Sequence, residues 1–326
     1  QNIIILISLF DTFHIFLFEH IFKIFMEDLM ANHHIFAGII FASLSAGLGG
    51  SGLVFTRLAL PQTDPFTLGF LRWFILAVIL FLIYWKKLNF SKINKSDRHI
   101  ISILGLIYFA AFPILLTFGL TFTTAGRAGL VFATMPVWTL IISSFFKIEP
   151  ITKVKLIAIF VAMLGVFIAL GNDFNEVNFT FILGDVIVMA GVICSSIFAA
   201  FSSNYIEKYG NLNVLLFALI SGVSAMLIAA FSLGSPLSGS LDFNLSGWSY
   251  VFVLGIPCGA IMIYCWGKAL QLATPTQASL CMGFHPLTAM LLGSLMLNEQ
   301  ITLNLVVGFF LVFLAVLFIQ IKSEFI

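Results

Sequence analysis

Residues 118–152 have the sequence FGLTFTTAGRAGLVFATMPVWTLIISSFFKIEPIT, and residues 268–302 have KALQLATPTQASLCMGFHPLTAMLLGSLMLNEQIT. The two stretches align without a gap when each residue is matched with the one 150 positions later. The alignment keeps a proline and a glutamate in step, at Pro136 and Pro286 and at Glu149 and Glu299. Because an internal repeat constrains the architecture strongly, the chain is expected to contain two related halves.

The composition predicts an integral membrane protein. Hydrophobic residues make up 61% of the chain and charged residues 9%, whereas soluble domains average about 25% charged residues. The mean hydropathy is +1.13. A net charge of +1 provides no field to attract nucleic acid, so nucleic acid is excluded as a partner. No metal or cofactor is predicted, since the four cysteines lie in apolar runs without disulfide or zinc spacing and are interpreted as core residues.

A membrane-spanning helix needs about 20 predominantly apolar residues. Cutting the apolar runs at charged or turn-rich breaks predicts ten spans, approximately 35–56, 65–85, 99–120, 125–146, 152–170, 179–203, 212–232, 247–268, 275–297 and 302–321. Residues 1–33 are set apart as an N-terminal extension. Their first 25 residues mix charges into an apolar run and lack the layout of a signal peptide, which indicates either translated upstream sequence or an interfacial helix.

The basic residues lie on one side of the predicted membrane, apart from Lys23, Arg57, Arg72 and Arg127. They follow the second, fourth, sixth, eighth and tenth spans, with the richest cluster in the loop 86–98. Since short cytoplasmic loops collect lysine and arginine, both ends of the ten-helix body are predicted to be cytoplasmic. Five helices per half is an odd number, so the repeats 34–171 and 172–326 would enter the membrane in opposite directions. Inverted repeats of this kind occur in many secondary transporters, with the site near the midplane.

Four motifs together resemble the EamA-type branch of the drug/metabolite transporter superfamily. They are GLGGSGLVFTRLALPQTDPFTLGFLRW at 47–73, AGRAGLVFATMP at 125–136, ILGDV at 182–186, and the segment 286–299. The resemblance covers residues 35–321 and implies a ten-helix carrier of the bacterial inner membrane, typically an exporter of amino acids and other small metabolites. One departure is Gly49-Gly50-Ser51, where the family often has Trp-Gly before Ser, so an aromatic wall of the cavity is expected to be missing.

Ionisable residues inside the predicted spans are the first candidates for the site, because each costs at least about 2.5 kcal/mol in hydrocarbon. Arg72 matches an arginine of the family and is a candidate to hold a substrate carboxylate. The alternative for Arg72 is a position at the outer interface or an ion pair with Asp64. Arg127 repeats as Gln277, and both are candidate substrate contacts. For Arg127, snorkelling to the interface is the alternative.

Two further ionisable residues are candidates for coupling to a proton or other gradient. His285 is the only histidine that lies well inside a predicted span, and it could bind substrate or accept a proton. Its alternative is a hydrogen bond to a carbonyl that Pro286 leaves free. Asp185 follows Gly184 near a helix start, where it could simply cap the helix. Glu149 and Glu299 are interpreted as helix-entry caps.

Helical spacing places four residues of the span 125–146 on one face, with their repeat partners on the span 275–297. These candidate cavity walls are Arg127, Val131, Thr134 and Trp138, and Gln277, Cys281, Phe284 and Thr288. Tyr108 and Tyr264 could offer a hydroxyl and a ring to a solute, or anchor an interface instead. The candidate substrate-binding residues are therefore Arg72, Tyr108, Arg127, Thr134, Trp138, Tyr264, Gln277 and His285.

Small residues at four-residue steps indicate close helix packing in lipid rather than substrate contacts. They form two seams, Gly38, Ala42, Ala46 and Gly50, and Gly191, Ser195, Ala199 and Ser203. The chain lacks the phosphate-binding motif GxxxxGK[ST]. These features predict a gradient-driven secondary transporter, a monomer or weak dimer, that works by alternating access. A passive channel is the alternative, and an enzyme is disfavoured because HExxH and GxSxG motifs are absent.

Overall fold

The computed structural model describes residues 34–170, 179–239, 241–298, 301 and 303–323. The expectations for residues 1–33, for the loop 171–178 and for Glu299 lie outside these residues. Throughout the described part of the chain the regular structure is helical and contains no strand. The prediction of an all-helical chain is confirmed.

The described residues form fourteen α-helices. They are α1 His34–Ala59, α2 Pro65–Tyr84, α3 Lys95–Leu106, α4 Phe112–Gly119, α5 Ala125–Phe132, α6 Met135–Phe145, α7 Lys153–Leu170, α8 Phe179–Tyr209, α9 Asn211–Leu233, α10 Leu245–Gly255, α11 Met262–Leu272, α12 Pro275–Leu280, α13 Phe284–Leu297 and α14 Leu303–Ser323. Among the described residues, eight continuous helical stretches are long and apolar enough to cross a membrane. The predicted spans 152–170 and 302–321 coincide with α7 and α14, which pack mainly against each other.

Four predicted spans are interrupted, at places that correspond in the two halves. The π-helical segments Ile107–Ala111 and Ile256–Ile261 join α3 to α4 and α10 to α11. A turn at 133–134 separates α5 from α6, and the 3-10 turn Cys281–Gly283 separates α12 from α13. A proline lies in or just after each interruption, namely Pro113, Pro257, Pro136 and Pro286. Proline lacks the N–H group that would donate to the carbonyl four residues earlier. The regular series of helix hydrogen bonds is therefore interrupted there.

The first seam of small residues packs as predicted. Ala42 and Ala46 are fully buried, and α1 contacts α11 and α13 along this face. A Cβ atom at Gly38 would lie 3.0 Å from the Cβ atom of Ala273, and the backbones therefore approach closely. The four cysteines are free thiols, of which Cys194 is half-buried and the other three are buried, in agreement with their interpretation as core residues.

Candidate substrate cavity

A cavity of about 30 Å³ lies between helices α1, α2, α4, α5, α8, α11 and α13. Both halves of the chain line it, and its polar and aromatic lining includes Arg72, Tyr108, Phe132, Ser195, Trp266 and His285. A water molecule needs about 10–15 Å³ by this measure, so the cavity has room for about two waters. Three of the predicted residues, Arg72, Tyr108 and His285, thus meet at one place.

Arg72 is buried in the protein interior, with 8% of its surface exposed. Its Nη2 donates to the carbonyl of Cys258 at 2.8 Å, within the π-helical segment of the other half. Its Nε has no hydrogen-bond partner in the part of the chain that the structure describes. Asp64 instead caps α2, where its Oδ1 accepts from the backbone N–H groups of Phe66 and Thr67. Neither the interfacial position nor the Asp64 pair therefore describes Arg72, whose guanidinium faces the cavity.

His285 lines the cavity from the second half of the chain, at the start of α13. Its ring stacks on Phe132 with the ring centroids 4.6 Å apart and the planes 2° from parallel. Nδ1 has no hydrogen-bond partner among the described residues. A Cβ atom at Gly49 would lie 2.3 Å from Nε2 of His285. The expected gap in the aromatic wall is therefore filled by a ring from the other half.

Tyr108 and Trp266 complete the aromatic lining. Tyr108 lies in the first π-helical segment and stacks on Phe198, with centroids 4.3 Å apart. Trp266 is 2% exposed, and none of the described residues forms a hydrogen bond with its Nε1. Neither Trp266 nor Ser195 is among the residues predicted from the sequence, where Ser195 belongs to a packing seam. Position on a small-residue seam therefore does not exclude contact with the cavity.

Four other predicted residues lie away from the cavity lining. Thr134 donates its hydroxyl to a backbone carbonyl in the turn between α5 and α6, and Trp138 is half-buried against the core. Gln277 closes a capping box at the start of α12. Tyr264 stacks on Tyr84, with centroids 6.0 Å apart and planes 4° from parallel. The predicted faces assumed continuous helices, whereas the turns at 133–134 and 281–283 interrupt both.

Arg127 and Asp185 form an ion pair that joins α5 to α8. Asp185 accepts from Arg127 Nε at 3.1 Å and Nη2 at 2.5 Å, and also from the Thr123 hydroxyl at 2.6 Å. Since α8 begins at Phe179, Asp185 lies inside the helix and does not cap it. Arg127 likewise makes a specific ion pair. We call Thr123, Arg127 and Asp185 the Asp185 cluster.

Glu149 forms a second polar contact between the halves. It is 5% exposed and accepts from the backbone N–H of Thr276 at 3.2 Å and from its hydroxyl at 2.8 Å. Lys155 Nζ lies 2.5 Å from its other carboxylate oxygen. Glu149 therefore caps α12 from the opposite half, where its charge complements the helix N-terminus; the sequence had assigned it to the helix that follows. We call Glu149, Lys155 and Thr276 the Glu149 cluster.

The two clusters lie at opposite ends of the bundle. Arg127 is at the start of the stretch Ala125–Phe145 and Glu149 follows its end. At 1.5 Å per residue, the helical stretch between them is roughly 30 Å long, close to the thickness of a bilayer core. The cavity lies between the two clusters. The arrangement thus places a small cavity between two contacts that each join the two halves.

Comparison with known proteins decides the family. The sequence model of the EamA-like transporter family matches residues 36–171 and again residues 182–321. The chain belongs to the EamA-like transporter family. This membership confirms the resemblance seen in the motifs, and it agrees with the prediction that the protein is a membrane transporter rather than an enzyme.

Several curated relatives are described as uncharacterized transporters. YoaV of Bacillus subtilis is 26% identical over 279 residues, which cover 84% of this chain and 92% of YoaV. A transporter of Archaeoglobus fulgidus is 28% identical over 270 residues, covering 81% of this chain and 92% of that protein. A solved crystal structure matches with a TM-score of 0.69 at 16% identity, covering 87% of this chain and 96% of that chain. That likeness concerns the fold.

Proposed function

We propose that this EamA-family member is a secondary-active carrier that exports small organic metabolites, such as amino acids or their derivatives. The observation that carries the proposal is the cavity, which is lined from both family-matched segments and lies between the Asp185 and Glu149 clusters. A carrier must open the same site to one side at a time. Bonds between the halves at both ends of the bundle are suited to closing such a site alternately.

The proposed architecture is ten membrane-spanning helices in two inverted five-helix repeats. The double family match and the paired interruptions of the helices support it. The first repeat would comprise α1, α2, α3–α4, α5–α6 and α7, and the second α8, α9, α10–α11, α12–α13 and α14. The protein would lie in the plasma membrane of a bacterium. The uneven distribution of lysine between the loops then predicts that both ends of the ten-helix body are cytoplasmic.

The proposed orientation predicts the accessibility of two loops. In intact cells, an impermeant thiol reagent should label a cysteine introduced by Asn175→Cys and spare one introduced by Lys92→Cys. Both residues lie in polar loops of the sequence, on opposite predicted sides of the membrane. Labelling after permeabilisation provides the control, because both positions should then react. The reverse pattern in intact cells would show that the topology is inverted.

Transport by a carrier should saturate and show counter-flow. Purified protein in proteoliposomes preloaded with unlabelled solute should accumulate the labelled solute transiently, whereas a channel only equilibrates it. A panel of amino acids, their derivatives and other small metabolites serves as the set of substrates. The cavity has room for about two waters in this conformation, which favours a carrier over an open pore. Non-saturable flux without counter-flow would support the passive channel instead.

We propose Asp185 and His285 as the residues that couple transport to a proton gradient. Protonation of Asp185 would remove the charge that holds Arg127, and so weaken one of the two bonds between the halves. Protonation of His285 would add a charge beside the cavity. In the same vesicles, Asp185→Asn or His285→Ala should flatten the pH dependence of transport. A pH profile unchanged in both variants would return the two residues to structural roles.

A further inference from the structure

We propose that the cavity selects solutes that carry a carboxylate and no ammonium group on an apolar body, so that organic acids bind better than the corresponding amino acids. The inference rests on the proposed transport function and narrows its substrate class. Its basis is the polar lining of the cavity, which among the described residues contains a guanidinium and neutral donors but no aspartate or glutamate.

Arg72 supplies the positive charge. Among the described residues no carboxylate lies within ion-pair distance of Arg72, and only one bond of normal hydrogen-bond length holds its guanidinium, to the Cys258 carbonyl. Nε remains without a partner although the side chain is more than nine-tenths buried. A buried charge without a counter-ion is costly. A guanidinium held in this way matches a ligand carboxylate, which it can bind through two parallel hydrogen bonds.

The neutral groups of the lining strengthen the preference for an anion. Trp266 Nε1 is a donor without acceptor capacity, and in this structure it has no partner. The Ser45 hydroxyl already donates to the Met262 carbonyl at 3.0 Å. A carboxylate would accept from the unpartnered donors. An ammonium group would instead find no carboxylate in the lining and would be repelled by Arg72.

The rest of the lining is apolar and adaptable. It comprises Leu53, Phe112, Leu116, Phe132, Met262 and Met282. Methionine side chains change shape easily and fill irregular spaces. Since the cavity has room for only about two waters in this conformation, a larger solute can enter only when the halves move apart. The body of the solute would then lie against these aliphatic and aromatic side chains.

Two matched series of solutes test the inference by binding to the full-length protein in nanodiscs. One series is 3-phenylpropionate, phenylalanine and 2-phenylethylamine, and the other is hexanoate, norleucine and hexylamine. Within each series the apolar body is constant and only the charged groups change. The carboxylate should bind at least about tenfold more tightly than the zwitterion, and the amine should bind most weakly, since charge-assisted hydrogen bonds carry differences of this size.

Variants connect the preference to the proposed residues. Arg72→Gln should weaken carboxylate binding at least about tenfold, and Arg72→Lys should bind with intermediate affinity because it keeps the charge and loses the planar fork. Trp266→Phe keeps an aromatic ring but removes Nε1, and should weaken carboxylate binding severalfold even if Arg72→Gln does not fold. Lys92→Gln, which also removes one positive charge but at an exposed site, is the matched control and should bind as the wild type does.

Three results would overturn the inference. They are zwitterions or amines binding as tightly as carboxylates, failure of every carboxylate in both series to bind, or carboxylate binding that survives both Arg72→Gln and Trp266→Phe unchanged. None of these decides the transport proposal, which depends on saturable counter-flow with the wider panel. If the protein exchanged amino acids but did not bind organic acids, the proposed transport function would stand and the proposed preference for organic acids would be wrong.

Discussion

Gly50→Ala is expected to lower the free energy of unfolding by about 1–3 kcal/mol, the range typical of overpacking in a dense interior. A Cβ atom at this position would lie 2.0 Å from the Thr288 hydroxyl oxygen and 2.4 Å from the carbonyl oxygen of His285. The side chain of Thr288 can rotate away, but the backbone carbonyl can move only if α1 and α13 separate. Since His285 lines the cavity, this separation should also impair transport.

Gly47→Ala provides the matched control, one helical turn earlier on α1. A Cβ atom there would meet only the Thr288 methyl group at 3.6 Å, an ordinary van der Waals contact. Both substitutions add one methyl group to the same helix, so their intrinsic helix propensities change equally. The measurement is thermal denaturation in detergent at a single heating rate, because unfolding of such proteins is often irreversible. Equal melting temperatures for the two variants would show that the α1–α13 contact is looser than described.

Glu149→Ala is expected to destabilise the protein by about 3–5 kcal/mol, the cost usually seen when one partner of a buried ion pair is removed. The substitution would leave Lys155, whose side chain is 12% exposed, without its counter-ion. It would also remove the acceptor for the backbone N–H and hydroxyl of Thr276 at the start of α12. The two halves would lose their bond at this end, so transport should fall together with the melting temperature.

Glu149→Gln should have an intermediate effect, because its amide oxygen can still accept from Thr276 while the charge is lost. Glu207→Gln is the control for the same chemical change, since Glu207 is exposed. Its free energy of unfolding should lie within about 0.5 kcal/mol of the wild-type value, as for most surface substitutions. The thermal assay used for Gly50 applies here. A wild-type melting temperature for Glu149→Ala would mean that the Glu149 cluster contributes nothing to the contact between the halves.

Several features of this protein followed from local sequence signals. The composition and the long apolar runs indicated a membrane protein, because the bilayer demands such runs and helical backbone within them. The motifs pointed to the family that the double match later confirmed. The cost of burying charge in hydrocarbon singled out Arg72 and His285, and the structure places both beside the cavity. The sequence also indicated that an aromatic ring is missing at Gly49, but it did not indicate that the ring of His285 takes its place.

Only the tertiary structure decided which polar groups meet. Glu149 caps a helix 127 residues further along the chain, and Asp185 pairs with Arg127, 58 residues before it. Local patterns of hydrophobicity carry no record of such partners, because either acid could cap a nearby helix with equal ease. The cavity face was missed for a related reason. Periodicity assumes an unbroken helix, whereas prolines interrupt these helices, and so the residues that reach the cavity depend on how the separated pieces pack.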